Sequence, residues 1–296
     1  MQKDKTTERF MLVTLLNVLI TVLEFFGGFI SGSLALLSDA VHNLSDVGAV
    51  VLSFVAHLVS RRTRNRYKTF GYERAEILAA FTNGVILIVI SLFLFIEAIK
   101  RFWQPEQIKG GLMLVIALIG LAVNLLSMLL MHANSKHNLN VKSTFLHMMS
   151  DALSSIAVVV GGLIIYLWHW DFMDPLLTIL VSLFVLYEAY KITAKAINIL
   201  MESNPSIDLN QINEVILAFP EVNNLHHVHI WRYSDQLIMM DAHLNVNSDM
   251  TVSELENLYS QIGQKLKEKF GINHITLQAE CKLGAQEKMI APGKHD

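Results

Sequence analysis

The sequence is poor in the residues that build disulfide frameworks, flexible linkers and charged surfaces. Its single cysteine, Cys281, excludes an internal disulfide and a zinc site made of several cysteines. Five prolines and fifteen glycines leave no room for a long low-complexity linker. Only 17% of the residues are charged, whereas an ordinary soluble domain has about 25%. The net charge of −3 offers no basic field for nucleic acid.

Apolar residues dominate instead, at 53% of the chain. A helix needs about 20 apolar residues to cross the roughly 30 Å hydrocarbon layer of a membrane. The opening "MQKDKTTERF" has no small-residue cleavage site, so the first apolar stretch is expected to be an anchor and not a removed signal peptide. Six stretches are long enough to span: Phe10 to Ile30, Ser33 to Ser60, Ala75 to Ile99, Gly110 to Ala133, Ser143 to Trp168 and Met173 to Thr193.

The positive charges between these stretches predict the orientation of the chain. If the amino terminus is cytoplasmic, the opposite side holds only Lys100, Arg101 and Lys109. Lysine and arginine are retained on the cytoplasmic side during insertion, which predicts that both termini are cytoplasmic. The cytoplasmic segments would then hold Lys3, Lys5, Arg9, Arg61, Arg62, Arg64, Arg66, Lys68, Arg74, Lys136, Lys142, Lys191 and Lys195.

The last third of the chain is different, because it contains no run long enough to span a membrane. "IDLNQINEVILAF" and "TVSELENLYSQIGQKLKEKF" have helical apolar spacing, and "NLHHVHIWRY", "QLIMMDAHLNV" and "INHITLQAE" are rich in strand-forming residues. The order α-β-β-α-β predicts a small α+β domain. We therefore expect an all-α six-helix membrane domain over residues 1–200 and a cytosolic domain over residues 201–296.

Ionisable residues interrupt two of the apolar stretches. An aspartate at the centre of a spanning helix costs about 2.5–3.5 kcal/mol, yet the second stretch contains Asp39, His42 and Asp46 on one helical face. The fifth stretch contains His147 and Asp151, so that "HNLSD" and "HMMSD" share His, Ser and Asp at identical spacing. Imidazole and carboxylate suit zinc and similar divalent ions, which take four ligands in tetrahedral sites. Two packed helices would supply them.

The alternative is that these polar groups only join helices by hydrogen bonds, which average about 0.6 kcal/mol in one measured membrane protein. The matched spacing favours a functional site, since ionisable residues within membranes usually mark ion pathways. Asp39 lies near the start of its stretch, and two roles stay open for it: admission of cations and helix termination. Glu24, Asn17, Asn83 and Asn124 are expected to face other helices.

The cytosolic part has a second group of candidate ligands, His226, His243 and Glu280, one on each predicted strand. Three neighbouring strands could bring these side chains to one edge of a sheet, within reach of a common ion. For His227, His229 and His274 the preferred interpretation is a half-exposed sheet residue, because histidine has intermediate burial in general.

Four segments together resemble the cation diffusion facilitator family over essentially the full chain: "LLSDAVHNLSD", "TFGYERAEILAAFTNG", "LHMMSDALSS" and "HHVHIW". The resemblance implies a homodimeric antiporter in the plasma (inner) membrane that exchanges cytoplasmic zinc, and related cations such as cadmium, for protons. It implies a cytosolic metal site, with Gln278 where some relatives carry histidine, and a pair between Arg74 and Glu202 at the dimer junction. It implies a transport site at His42, Asp46, His147 and Asp151.

Metal binding requires neutral histidine and ionised aspartate, so protons and metal compete for the same groups. This competition predicts the coupling, with His42, Asp46, His147 and Asp151 as the proton carriers. A passive divalent-metal channel or a membrane-bound metal sensor stays open as an alternative. The sequence has no His-Glu-x-x-His and no Gly-x-x-x-x-Gly-Lys segment, which argues against a metalloprotease and against direct ATP coupling. We expect no enzyme activity, no organic cofactor, and membrane lipids, metal ions and protons as partners.

Overall fold

The computed structural model describes residues 2–132, 139–234 and 237–290, with side chains for all of these except 2–11, 50, 53, 130–132, 139–148 and 150. The chain divides into two compact units. One comprises Met1–Ala56 and Ala79–Ala194, and the other comprises His57–Leu78 and Lys195–Asp296.

Six long helices account for the apolar part of the described chain, and all six are long and apolar enough to cross a membrane, as predicted. The first and fifth helices begin earlier than the apolar stretches predicted for them, at residues 2 and 139. The polar residues that precede each apolar stretch are also helical. The helices are α1 (Gln2–Ser31), α2 (Leu34–Ser60), α3 (Ala75–Trp103), α4 (Gly110–His132), α5 (Leu139–Trp168) and α6 (Met173–Leu200).

Small residues let these helices approach closely. A Cβ atom on Gly162 of α5 would lie 3.3 Å from the Cα atom of Leu114 on α4. Such contacts are typical of membrane helices, whose association depends on close packing more than on the hydrophobic effect. The buried apolar residues around this contact bring α2, α4 and α5 together; they include Ala35, Leu36, Met113, Ala117, Val158 and Ile165.

The first turn of α2 is held by an aspartate from α6. Asp174 is fully buried and accepts hydrogen bonds from the backbone N–H groups of Leu34, at 2.8 Å, and Ala35, at 3.1 Å. The Ser33 hydroxyl donates to the same carboxylate. Because the first N–H groups of a helix have no partner within the helix, Asp174 satisfies them from a neighbouring helix. This contact positions the amino-terminal end of α2.

The second unit contains α7 (Leu209–Leu217), β1 (Val222–Arg232), β2 (Ile238–Val246), α8 (Val252–Phe270) and β3 (His274–Glu280). The predicted order α-β-β-α-β is confirmed. Strand β2 lies in the middle of the sheet, antiparallel to β1 and parallel to β3. Helix α8 makes the crossover that a parallel pair requires; it begins with a capping box at Thr251 and Glu254 and is followed by Gly271 at φ 70°.

One face of this sheet packs on the two helices. Its core contains alternating strand residues together with α7 and α8 residues, among them Leu225, Ile230, Ala242, Leu244, Ile216, Ile262 and Leu266. The opposite, helix-free face carries the polar residues of the same strands, because successive side chains of a strand point to opposite faces.

A bulge in β1 changes which residues reach the helix-free face. His226 pairs with His243, whereas His229 pairs with Asp241, so β1 has one residue more than β2 between these pairs. His227 lies in the bulge at φ 51°, a left-handed conformation uncommon for a residue with a Cβ atom. As a result His226 and His229 both lie on the helix-free face, although a regular strand would put them on opposite faces.

Candidate metal sites

The first cluster of metal-ligating side chains lies between α2 and α5. The Nε2 atom of His42 lies 3.2 Å from Oδ1 of Asp151 and 4.0 Å from Oδ2 of Asp46. One ligand atom from each of the three residues lies within 4.8 Å of the other two. Two of the side chains are nearly removed from solvent contact, since 12% of His42 and 7% of Asp151 is exposed, against 32% of Asp46.

Helical spacing explains the pairing within each helix. His42 and Asp46 are four residues apart on α2, so they share one face. His147 lies in α5, four residues before Asp151, but its side chain lies outside the described residues. The structure thus brings together three of the four residues expected to form the transport site.

Asp39 lies one turn before His42 and is buried. Its carboxylate accepts hydrogen bonds from the hydroxyls of Ser154, at 3.1 Å, and Ser155, at 3.5 Å, both on α5. Asn124 of α4 donates to the Ser155 hydroxyl at 2.8 Å. Asp39 therefore connects α2 to α5 beside the cluster, a contact that neither of its two sequence interpretations included.

Glu24 of α1 is a second buried carboxyl group near the cluster. It is 1% exposed, and its Oε2 atom accepts a hydrogen bond from Asn43 at 2.8 Å. Asn83 of α3 donates to the Ser45 hydroxyl of α2 at 3.3 Å. The expectation that they face other helices is confirmed for Glu24, Asn83 and Asn124, whereas the Oδ1 atom of Asn17 is buried with no hydrogen-bond partner among the described residues. These contacts join the His42 segment of α2 to polar side chains of α1 and α3.

The second cluster lies on the helix-free face of the sheet. Both oxygens of the Glu280 carboxylate are engaged, with Oε2 3.1 Å from Nε2 of His226 and Oε1 3.1 Å from Nδ1 of His243. One ligand atom from each residue lies within 4.8 Å of the others. His226 is 1% exposed. It is the fifth residue of β1, which begins at Val222.

Two neighbouring polar residues, Gln278 and His227, contact side chains of this cluster. Gln278 pairs with His243 in the sheet and donates to Oε1 of Glu280 at 2.9 Å. His227 and His229 are exposed, with 3.4 Å between their Nε2 atoms, and the His227 ring stacks on His243 at 4.6 Å between centroids. His274 is exposed at the outer strand.

Arg74 and Glu202 form an ion pair with 2.8 Å between Nη2 and Oε1. The guanidinium of Arg74 also lies 4.8 Å from the ring centroid of Tyr233, which in turn lies 5.3 Å from the ring of Phe70. Burial raises the pKa of Tyr233 although the charge of Arg74 opposes this. The two aromatic partners were not identified from the sequence, although "TFGYER" and "HIWRY" contain them.

Two family models match the chain almost end to end. A model described as the cation efflux transmembrane domain matches residues 10–201, and a model described as the cation efflux protein cytoplasmic domain matches residues 204–282. The chain belongs to the cation efflux family. These transporters are also called cation diffusion facilitators, so the resemblance seen in the sequence is confirmed, and the chain is a multi-pass membrane protein.

Curated relatives match this cation efflux protein over most of their length. It is 40% identical to the cadmium, cobalt and zinc/H(+)-K(+) antiporter of Bacillus subtilis, with 91% of this chain and 87% of the relative covered. It is 39% identical to the zinc transporter ZitB of Escherichia coli, with 88% and 82% covered. The metal cation efflux system protein CzcD of Cupriavidus metallidurans is 35% identical, with 88% and 82% covered.

The donor atoms of both clusters fit a first-row divalent cation. Imidazole nitrogen and carboxylate oxygen are borderline and hard ligands that suit zinc and its neighbours, whereas calcium and magnesium prefer oxygen alone. In each cluster of this cation efflux protein the described ligand atoms are already grouped within 4.8 Å. Each cluster can therefore hold one cation with little rearrangement.

Proposed function

We propose that the protein is an antiporter that exports zinc, and related divalent cations such as cadmium, from the cytoplasm in exchange for protons. It is a carrier and catalyses no covalent chemistry. The buried cluster of His42, Asp46 and Asp151 carries this proposal, because it combines zinc-type ligands with the interior of a helical bundle. The names of the three relatives, which mention zinc, cadmium, cobalt or cation efflux, support the same substrate class.

The transport site consists of His42, Asp46, Asp151 and His147. Three described ligands leave a tetrahedral ion one ligand short. His147 is four residues before Asp151 on α5, the spacing that pairs His42 with Asp46 on α2, and this repeated spacing supports His147 as the fourth ligand. Asp39 orients α5 against α2 through Ser154 and Ser155 and thereby keeps the ligands of the two helices together.

Exchange follows from competition for the same side chains. Two carboxylates inside a membrane are stable when protons or a divalent cation neutralise their charge. A cation entering from the cytoplasm displaces protons from His42, Asp46 and their partners, since metal binds only the deprotonated ligands. Protons arriving from the other side displace the cation. If the site opens to one side at a time, each zinc leaving is matched by protons entering.

Residues 1–200 form the transport domain, and residues 201–296 form a cytosolic regulatory domain through which two chains associate. Both termini lie in the cytoplasm, and the membrane is the plasma (inner) membrane. The charge distribution between the helices supports this orientation. The match of residues 204–282 to a cytoplasmic domain of cation efflux proteins is compatible with this orientation. The ion pair between Arg74 and Glu202 reinforces the junction of the dimer.

The cytosolic domain binds zinc in its own right at His226, His243 and Glu280. A ligand that binds only the folded state stabilises that state by mass action, so zinc bound here makes the domain sensitive to cytoplasmic metal. The engagement of both Glu280 oxygens by the two histidines supports a preformed site.

Flux measurements on the purified protein in proteoliposomes test the antiport. Vesicles are loaded with zinc, cadmium, cobalt, nickel or manganese, and metal movement is recorded with and without an imposed proton gradient. A potassium gradient forms a separate arm, because the Bacillus subtilis relative is named for both H(+) and K(+). We expect a proton gradient to drive zinc uphill and metal movement to carry protons in the opposite direction.

Two outcomes contradict the proposal. Zinc flux that runs only downhill and ignores the pH gradient identifies a passive channel. Zinc binding without flux in any arm identifies a sensor.

Removing both His42 and His147 is expected to reduce the number of protons moved per zinc, and an unchanged ratio would assign the coupling to other groups.

A further inference from the structure

The chain does not leave the sheet at the end of β3. Residues Cys281–Ile290, here called the C-terminal strap, cross the helix-free face beside His226. Two asparagine side chains hold its backbone: Asn224 donates to the Gly284 carbonyl at 2.7 Å, and Asn245 donates to the Leu283 carbonyl at 2.8 Å. The backbone N–H of Val228, in the bulge of β1, donates to the Met289 carbonyl at 2.9 Å.

Gly284 is the point of closest approach between the strap and the His226 ring. A Cβ atom at this position would lie 1.9 Å from Nε2 and 2.0 Å from Cε1 of His226. Gly284 also has φ 67°, which residues with side chains rarely adopt. Only glycine therefore lets the strap lie directly on the ring, and the strap is the reason that His226 is buried.

The strap brings a second carboxylate to the cluster. Oε2 of Glu287 lies 4.0 Å from Nε2 of His226, and its side chain is 66% exposed. The Glu287 N–H donates to the Gly284 carbonyl at 3.2 Å, and Asn224 donates to the Glu287 carbonyl at 3.0 Å. These bonds determine the backbone position of Glu287, while its carboxylate keeps freedom to move.

We propose that Glu287 is the fourth ligand of the cytosolic metal site and that the strap closes the site when a divalent cation binds. This inference rests on the proposed site at His226, His243 and Glu280, which supplies three ligands where zinc takes four. With zinc–ligand distances of about 2.0–2.2 Å, neighbouring ligand atoms of a tetrahedral site lie roughly 3.4 Å apart. One Glu287 oxygen lies 4.0 Å from Nε2 of His226 but outside the group of ligand atoms that are all within 4.8 Å of one another, so the exposed side chain has to turn further into the site to meet this geometry.

The charges of two carboxylates explain why the strap closes on the site only when a cation is bound. Glu280 and Glu287 bring two negative charges to one buried imidazole, and like charges oppose close approach unless a cation lies between them. A divalent cation neutralises both carboxylates, so that Glu280 of β3 and Glu287 of the strap bind the same ion and no longer repel each other. Binding should therefore order the strap, and the strap should slow the release of the cation.

The experiment uses the full chain in detergent with the Asp151→Asn substitution, which disables the transport site so that zinc binding reports the cytosolic site. Zinc affinity is measured by competition with a chromophoric chelator in four variants added to this background. Glu287→Gln removes the ligand charge, and Glu256→Gln, on the exposed surface of α8, is its matched control. Gly284→Ala lifts the strap from His226. Gly271→Ala is its control, because Gly271 has φ 70° but nothing within 4 Å of an added Cβ atom.

We expect Glu287→Gln and Gly284→Ala each to weaken zinc binding by at least about tenfold, the lower limit for losing a supporting group at a metal site. The two controls should leave it unchanged. Hydrogen exchange of residues 281–290 provides an independent readout. Zinc should slow exchange of the strap in the background protein and in Glu256→Gln, but not in Glu287→Gln.

The outcomes separate this inference from the site on which it rests. If the background protein binds no zinc that His243→Ala removes, the cytosolic site itself is absent. If zinc binds through His243 with the same affinity in Glu287→Gln, and the strap exchanges at the same rate with and without zinc, Glu287 is not a ligand. The Cys281→Ser variant tests whether the thiol of the strap is the ligand instead of Glu287. Weaker zinc binding in Cys281→Ser, with the zinc affinity of Glu287→Gln unchanged, would assign the fourth ligand to the thiol.

Discussion

The two metal clusters use similar side chains but are built by different backbone geometries. The proposed transport site takes its ligands from two helices: His42 and Asp46 are four residues apart on α2, and His147 and Asp151 have the same spacing on α5. The cytosolic cluster takes one ligand from each of three strands, so its ligands meet only through strand register. Local periodicity therefore aligns ligands within each membrane helix, whereas the ligands of the cytosolic cluster meet only through the register of three strands.

The surroundings of the clusters differ as well. Polar contacts between helices lie beside the membrane cluster: Ser154 and Ser155 of α5 donate to Asp39 of α2, and Asn43 of α2 donates to Glu24 of α1. The cytosolic cluster is covered by a ten-residue strap whose backbone is held by Asn224 and Asn245. The described contacts of the membrane cluster come from neighbouring helices, whereas one side of the cytosolic cluster is covered by a chain segment that follows the last strand.

The largest loss of zinc flux is expected when a ligand of the membrane cluster is removed, because this cluster is the proposed transport site. Asp151→Ala removes a buried ligand of the membrane cluster and should reduce zinc flux in proteoliposomes by more than about 100-fold, while the protein stays inserted. Asp171→Ala, between α5 and α6, is the control and should transport normally. Substantial zinc flux by Asp151→Ala would remove the membrane cluster from the transport pathway.

The next effect concerns stability. Zinc at 100 times its dissociation constant should stabilise the folded cytosolic domain by about 2.7 kcal/mol, and calorimetry of the full chain should show a higher unfolding temperature for that domain. His243→Ala should abolish most of this rise. A zinc-dependent rise that survives His243→Ala would place the stabilising ion elsewhere, and no rise in the unmodified chain would leave these residues structural.

A smaller, selective effect is expected from ligand type. Replacing His147 by Asp makes the proposed transport site richer in oxygen, which suits manganese relative to zinc better than imidazole does. The ratio of manganese flux to zinc flux should therefore rise in His147→Asp, with total transport retained. Unchanged competition between the metals would mean that selectivity is set by other residues.

The smallest effect is expected at the ion pair of Arg74 and Glu202. Both side chains are partly exposed, at 29% and 57%, and pairs of this kind contribute about 0.2–1 kcal/mol. A double-mutant cycle with Arg74→Ala and Glu202→Ala, read by denaturant unfolding of the cytosolic domain, should give a coupling energy in that range. A coupling energy of several kcal/mol would show that this pair stabilises the domain more than an exposed ion pair does.

The fold was largely predictable because its signals are local. Apolar runs about 20 residues long specify spanning helices, and Thr251 and Gly271 mark the ends of α8 through capping chemistry. The boundaries were less accurate, since α1 and α5 continue into polar residues that a hydropathy pattern does not register. The pairing of Asp39 with Ser154 and Ser155 depends on the rotation of α5 against α2, which no local pattern encodes.

Composition and residue spacing are enough to predict the six spanning segments and the order of elements in the last domain. They also predict the helix faces that carry His42 with Asp46 and His147 with Asp151, because side-chain direction along one helix follows from residue spacing. The contact of Asp151 with His42, and the bulge that turns His226 and His229 to one face, are visible in the folded chain alone. The same holds for the strap, which lays Gly284 on His226 and brings Glu287 near the cluster. These contacts join residues that are distant in the chain, and their distances depend on how whole helices and strands pack.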